Sequence, residues 1–376
     1  VTLFSAKVSE GPEVTYGLPA VPVEIWTGGT SSPSRAPITA QRLEEAGWDG
    51  WALVDSQNLA LDPYILLALA ASATDRLKLA TGVTNPLTRH PAATANAIAT
   101  VQAASKGRAV LGIGRGDSSL AHLGLAPAAP SAFERYLVRL QGYLRGEDVP
   151  FDAAGDGSGV AAASSTLGMA GGPEASRIRW IAALGSKLAK VPVDVAATGP
   201  RVIAIAARYA DRVTFAVGAD PARLRWAISE SRKDPGGQVE IGAYVPVVVN
   251  PDRDTAQGLI SGGVGSFARF SVMHGRVHGP VDDDGRAVLK TVHDSYDMNQ
   301  HFTHGSPQSS PLTPEVIDTF GIAGPPGYCA KRLRELIDLG ITKLVLLGGG
   351  TGMDSDARAL SDKLLTEEVL PALRQP

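Results

Sequence analysis

The stretch from Leu77 to Gly124 constrains the fold more than any other. It reads L-K-L-A-T-G-V-T-N-P-L-T-R-H-P, then an alanine-rich run, then G-R-A-V-L-G-I-G-R-G-D-S-S-L-A-H-L-G. Leu77 to Val83 and Arg108 to Ile113 are apolar runs with the length of buried strands. Ala92 to Ser105, between them, has no Gly or Pro and is rich in Ala, so it predicts a helix. Strand, helix and strand in that space form a βαβ unit, which implies a parallel sheet and a right-handed crossover. Both strands run out into polar turns, Thr84-Asn85-Pro86 and Gly114-Arg115-Gly116-Asp117-Ser118. Ligands collect at such C-terminal strand ends in parallel α/β folds.

The alternation continues on both sides. Val23 to Trp26, Gly50 to Val54, Val191 to Ala197, Arg212 to Val217, Val239 to Val249 and Ile341 to Leu347 are further predicted strands. Arg177 to Ile181 reads as a possible edge strand, and Thr2 to Val8 as a short strand or an arm. Helices are predicted over Ile38–Ala46, Tyr64–Ala73, Phe133–Leu144, Val202–Tyr209, Pro221–Arg232, Pro326–Leu339 and Asp354–Leu373. Prolines at 63, 200 and 221 fall in first helical turns, where the missing N–H costs nothing. About eight strand–helix units favour a closed (β/α)8 TIM-like barrel over an open sheet. Such a barrel needs roughly 250 residues, so 376 residues suit one domain, 1–376, with insertions. The insertions fall at about 147–176, rich in Gly, Ala and Ser, and at 251–326, rich in Gly, His and Pro.

Composition removes several function classes. A net charge of -3 gives no basic field for nucleic acid. Arg201, Arg208, Arg212, Arg223 and Arg225 read as a solvated face. A single cysteine, Cys329, leaves no intrachain disulfide or cysteine metal cluster and fits a reducing cytoplasm. No charged-then-apolar leader opens the sequence, and Tyr64 to Ala73 is too short to span a bilayer. His274 and His278 are four apart, but Gly275 and Gly279 interrupt any helix, so no metal site is expected. Neither G-x-S-x-G nor H-E-x-x-H occurs, which argues against hydrolases.

The candidate site residues lie at strand ends. Gly112-Ile113-Gly114-Arg115-Gly116-Asp117 is either a tight turn or a cradle for a flat or anionic ligand. Its spacing does not match the dinucleotide fingerprint. Asp55 and Ser56 close the second strand and serve either as a cap or as site groups. Gly82 and Val83 precede Thr84 and could carry a bulge. Thr198-Gly199-Pro200 offers backbone N–H groups suited to a phosphate, or is a plain Gly turn before a helix. His90 reads as a capping residue.

These segments, V-D-S-Q-N-L, D-P-Y-I-L-L-A-L-A-A, T-G-V-T-N-P-L-T-R-H-P, R-A-V-L-G-I-G-R-G-D-S and A-A-T-G-P-R, resemble the bacterial-luciferase-like superfamily. Within it they are most similar to the branch using the deazaflavin coenzyme F420, typified by methylenetetrahydromethanopterin reductases. The resemblance implies an F420-dependent oxidoreductase passing a hydride to or from a small organic substrate. It also implies that Asp55 contacts the coenzyme ring, that Gly82 and Val83 form a bulge behind it, often with a cis peptide, and that Arg115 and Gly116 touch ring or tail. Thr198, Gly199 and Arg201 would hold the ribityl-phosphate. Thr84 and Gly114 flank these positions, and Asp117 matches an acid proposed for proton handling. Ser56 stands where the sugar-phosphate dehydrogenases of the branch carry a His, and could act through water; Ala60 replaces a Trp. Two alternatives accompany this expectation: an FMN-dependent two-component monooxygenase with a partner flavin reductase, and a non-catalytic ligand-binding barrel. Apolar helices at 64–73 and 92–104 leave room for a homodimer face.

Overall fold

A computed structural model describes residues 23–151, 175–233 and 239–375. Thr2 to Val8 and the centre of the first insertion lie outside the described residues. Eight strands form the barrel: β1 (Glu24–Gly29), β2 (Gly50–Leu53), β3 (Lys78–Thr81), β4 (Ala109–Ile113), β5 (Val193–Ala197), β6 (Arg212–Phe215), β7 (Glu240–Val249) and β8 (Lys343–Leu347). Each pairs in parallel with the next, and β8 pairs with both β7 and β1, closing the ring. The outer helices are α1 (Ala36–Glu45), α2 (Pro63–Ala73), α3 (Pro91–Ala104), α4 (Pro130–Leu144), α5 (Pro200–Tyr209), α6 (Pro221–Ser231), α7 (Pro326–Ile337) and α8 (Ser355–Leu364). Every one from α1 to α7 has a proline in its first turn, which fixes where each strand-end loop stops and its helix begins.

Period-2 alternation sorts the strand side chains. Ile25, Leu53, Leu79, Leu111, Val195, Phe215 and Leu344 pack outward against the helices. Trp26, Ala52, Ala80, Val110, Tyr244 and Val345 fill the barrel interior. One indole occupies much of that space: a Cβ on Gly50 would come within 2.3 Å of the Trp26 ring. Lys343 Nζ lies 3.7 Å from the Trp26 ring centroid and 2.9 Å from Asp194 Oδ2, both side chains 2% exposed. Thr214 Oγ1 donates to Asp194 Oδ1 at 2.6 Å. Toward the N-terminal end of the strands, Glu24 takes Trp26 Nε1–H at 2.9 Å and Lys78 Nζ at 2.6 Å.

Two expectations are corrected. Arg177 to Ile181 is not an edge strand: Ala175–Ser176 pairs antiparallel with Val149–Pro150, and Arg179–Leu184 is helical. Ile178, at the helix N-cap, and Ile181 are both buried, whereas strand alternation would turn residues three apart to opposite faces. The arginines do not share one solvated face. Arg201, Arg208 and Arg225 are exposed, but Arg212 sits inward against Glu24 and Glu240, and Arg223 is fully buried.

The 251–326 insertion carries helices Arg253–Leu259, Ser261–Phe270, Asp283–Asp294 and Pro314–Phe320, then a strand Ile322–Gly324 that pairs with β7. It seats directly on the glycines after β8. A Cβ on Gly349 would meet Leu259 O at 2.2 Å, and one on Gly350 would meet Phe302 O at 2.5 Å. Only bare backbone permits that approach.

Candidate active site

β2 and β3 deliver four polar side chains to the C-terminal rim. Asp55 is 3% exposed and Ser56 5%. Asp55 Oδ1 accepts from Gln57 Nε2 at 2.7 Å, but Oδ2 and the Ser56 hydroxyl have no partner. Burial pushes the Asp55 carboxyl above its ordinary range; the nearby Thr84 hydroxyl, outside normal hydrogen-bond geometry, and Arg89 moderate the rise. Thr84 Oγ1 and Asn85 Nδ2 are likewise buried without partners. Asn85 Oδ1 is committed to the backbone N–H groups of Leu87 and Thr88, at 3.0 and 3.1 Å, so the turn fixes the amide with its donors unused. Orphaned buried polar atoms are rare, and these four, with Tyr64 Oη beside them, have capacity for a ligand or ordered water.

The third strand breaks at Gly82–Val83, whose peptide bond is cis. Pairing then resumes: Thr84 N–H donates to Gly112 O and Gly114 N–H to Thr84 O, both at 2.9 Å. The glycines of β4 make room for this detour. A Cβ on Gly112 would meet Thr81 O at 2.0 Å, and one on Gly114 would meet a Val83 methyl at 3.2 Å. Gly116 is needed for its φ of +88°. Arg115, partly buried, leaves its Nε unpaired, and burial lowers its pKa.

Asp117 holds the N-cap position of a short helix, Ser118–Ala121, yet makes no capping hydrogen bond. Its carboxylate instead takes a charge-assisted bond from Arg269 Nη1 at 2.5 Å. At the end of β5, Thr198 Oγ1 donates to Ala216 O at 3.3 Å. Gly199 faces His278, whose ring would lie 3.7 Å from a Cβ there. Arg201 is exposed at the start of α5. Arg223 anchors the loop that brings His278. It donates to the carbonyls of Val217, Pro280 and His278 and to Ser271 Oγ, at 2.7 to 3.0 Å. Burial pulls its pKa down to about 10. His90 caps α3 as expected, its Nδ1 accepting from Ala92 N–H at 3.2 Å. No group of three or more His, Cys, Asp or Glu among the described residues is arranged to hold a metal ion.

The rim thus brings Asp55, Ser56, Gly82, Val83, Thr84, Gly114, Arg115, Gly116 and Asp117 onto three adjacent strand ends, with Thr198 and Gly199 on the fourth. Sequence reasoning missed Asn85's free amide, Arg223, and the insertion residues Arg269, Tyr296 and His301. The T-N-P turn was a signal for the first; the others act across long sequence separations.

A closed (β/α)8 barrel with this rim and a roofing insertion defines the class: an elaborated TIM barrel, a fold in which ligands bind at the C-terminal mouth. Residues 18–343 match the model of the luciferase-like monooxygenase family, and the chain belongs to that family. It is 28% identical over 320 residues to the 5,10-methylenetetrahydromethanopterin reductase of Methanolobus tindarius, covering 81% of this chain and 87% of that one. The coenzyme F420-dependent tetrahydromethanopterin reductase from Methanopyrus kandleri shares the fold, with a TM-score of 0.66 at 22% identity over 94% of this chain and all (100%) of that one. So does an F420-dependent secondary alcohol dehydrogenase solved with an F420–acetone adduct, with a TM-score of 0.65 at 17% identity over 94% of this chain and 100% of that one. No helix among the described residues is long and apolar enough to cross a membrane.

Proposed function

We propose that this protein is an F420-dependent oxidoreductase that moves a hydride between the deazaflavin and a small organic substrate. The observation that carries the reading is the set of unpaired buried atoms at the ends of β2 and β3. A carboxylate oxygen, two hydroxyls and an amide N–H2 together match a heterocycle edge that alternates C=O and N–H groups. The family and the named reductase relative support the same reading.

The coenzyme, when bound, supplies the two-electron chemistry. Asp55, Ser56, Thr84 and Asn85 would hold its ring edge, and Val83 with the β4 glycines its back face. Thr198, Gly199 and Arg201 would hold its phosphate at the start of α5. Asp117 would set the charge beside the reacting atoms. The insertion over the mouth would exclude bulk water, which hydride transfer requires.

The reading is tested by fluorescence titration of the purified protein with F420 and, separately, FMN. Saturable binding of F420 alone supports it. Binding of FMN alone favours the second reading, oxygen-dependent chemistry with a partner reductase, which the family's description as monooxygenases supports. We also propose a homodimer in a reducing cytoplasm. Leu59, Leu61, Ile65, Leu87 and Leu125 are exposed on α2 and in loops, apolar surface a dimer would cover, and light scattering should give twice the mass of the chain. Cys329, buried, has its thiol pushed up to about 12 and is inert.

A further inference from the structure

The insertion crosses the barrel mouth. β4 and β8 are four strands apart in a closed ring of eight, on opposite sides. At the β8 side, Thr351 N–H donates to Phe302 O at 2.8 Å and Thr303 bridges to Thr351. At the β4 side, Arg269 grips Asp117. Tyr296 and His301 lie between. The Arg269 guanidinium stands 4.5 Å from the Tyr296 ring centroid, and Tyr296 Oη is 2.5 Å from His301 Nδ1. Ser266 Oγ lies 3.3 Å from Tyr296 Oη and accepts from Phe302 N–H at 3.1 Å. Phe270 and Phe302 flank the imidazole. The His301 ring is therefore fixed through one nitrogen, while Nε2 has no hydrogen-bond partner among the described residues.

We infer that His301 Nε2 exchanges the proton that accompanies hydride transfer, with Tyr296 and Arg269 as positioning residues; the inference rests on the oxidoreductase reading. In the oxidation direction a substrate C–H bond breaks, its hydrogen leaving with the electron pair to the oxidised coenzyme. The O–H or N–H bond on the heteroatom attached to that carbon breaks, its proton goes to Nε2, and a C=O or C=N bond forms. The substrate loses two electrons and the coenzyme gains them. In reduction the imidazolium returns the proton to the heteroatom. Tyr296 Oη accepts from Nδ1–H, and the Asp117 carboxylate compensates the imidazolium. The charged groups facing His301 are Asp117 and His122 from the β4 end and Arg269 from the insertion. Burial, opposed by Asp117 and reinforced by Arg269 and His122, pulls its pKa down to about 4. The ring is then neutral at physiological pH and ready to act as a base.

The test uses the full chain loaded with oxidised F420, and 2-propanol and 2-butanol as hydride-donor probes. His301→Gln should lower kcat about a hundred-fold or more, with F420 affinity and melting temperature unchanged. In histidine-labelled wild type with F420 bound, the NMR resonance missing from His301→Gln should move when a probe is added. Tyr296→Phe should shift the pH profile of kcat without abolishing turnover. Unchanged kcat in His301→Gln, parallel loss of coenzyme affinity and stability, or a His301 resonance indifferent to both probes would each overturn the assignment. Failure of the wild type to bind F420 would instead overturn the F420-dependent reading, and this inference with it.

Discussion

Buried polar groups sit at two levels of one barrel, and the two levels treat them differently. In the interior, Lys343, Asp194 and Thr214 satisfy one another. At the rim, Asp55, Ser56, Thr84 and Asn85 are as deeply buried yet leave atoms unpaired. Both levels bear the cost of removing polar groups from water. Only the interior recovers it within the chain. A fully paired network is part of the scaffold; an unpaired one of the same depth keeps capacity for a further partner, which the proposed function fills with the coenzyme.

That contrast can be broken most severely from below. Lys343→Met leaves Asp194 buried and uncompensated, and should cost about 3–5 kcal/mol in urea unfolding. Restoring balance with Lys343→Met and Asp194→Leu together should recover much of the loss. Arg223→Met should cost about 3 kcal/mol, because it strips buried carbonyls and Ser271 of their donor. It should also open the insertion to limited proteolysis around 272–280 before the barrel unfolds. A matched pair sharpens the comparison. Thr214→Val should destabilise by about 1–2 kcal/mol through Asp194's lost partner, whereas Ser56→Ala, which removes an unpaired hydroxyl, should be neutral or stabilising within about 1 kcal/mol. Thermal melts of the two variants side by side decide this.

The barrel was legible because its signals are local. Apolar runs of strand length, prolines at helix starts and glycines at strand ends each act over a few residues, and from β1 to β8 they agree with the fold. The rim acids were legible for the same reason, since Asp55 and Asp117 close strands. Arg223 was not. Its type predicts exposure, and its acceptors are backbone carbonyls brought together only by tertiary packing. Arg269 was equally hidden, meeting Asp117 across 152 residues of sequence. Asp117 stands at an N-cap position, and what distinguishes it is the bond it declines to make with its own helix. The edge strand expected at Arg177–Ile181 failed because two buried isoleucines three apart cannot share one face of a strand.

The comparison turns finally on Asp55. Burial raises its folded-state pKa above the ordinary 3.8. A carboxyl shifted that way costs stability progressively as pH rises from the ordinary value through the raised one, and costs nothing below both. Asp55→Asn should therefore stabilise the coenzyme-free protein at neutral pH, and the gain should vanish in acid. The same variant should bind F420 about ten-fold more weakly, the loss of one ring contact. The decisive measurement is the pair taken together, a melt at pH 7 and an F420 titration on wild type and Asp55→Asn. A higher melting temperature with weaker binding is the predicted result. Unchanged affinity, or a loss of stability like that of Thr214→Val, would place Asp55 in the scaffold and contradict the account.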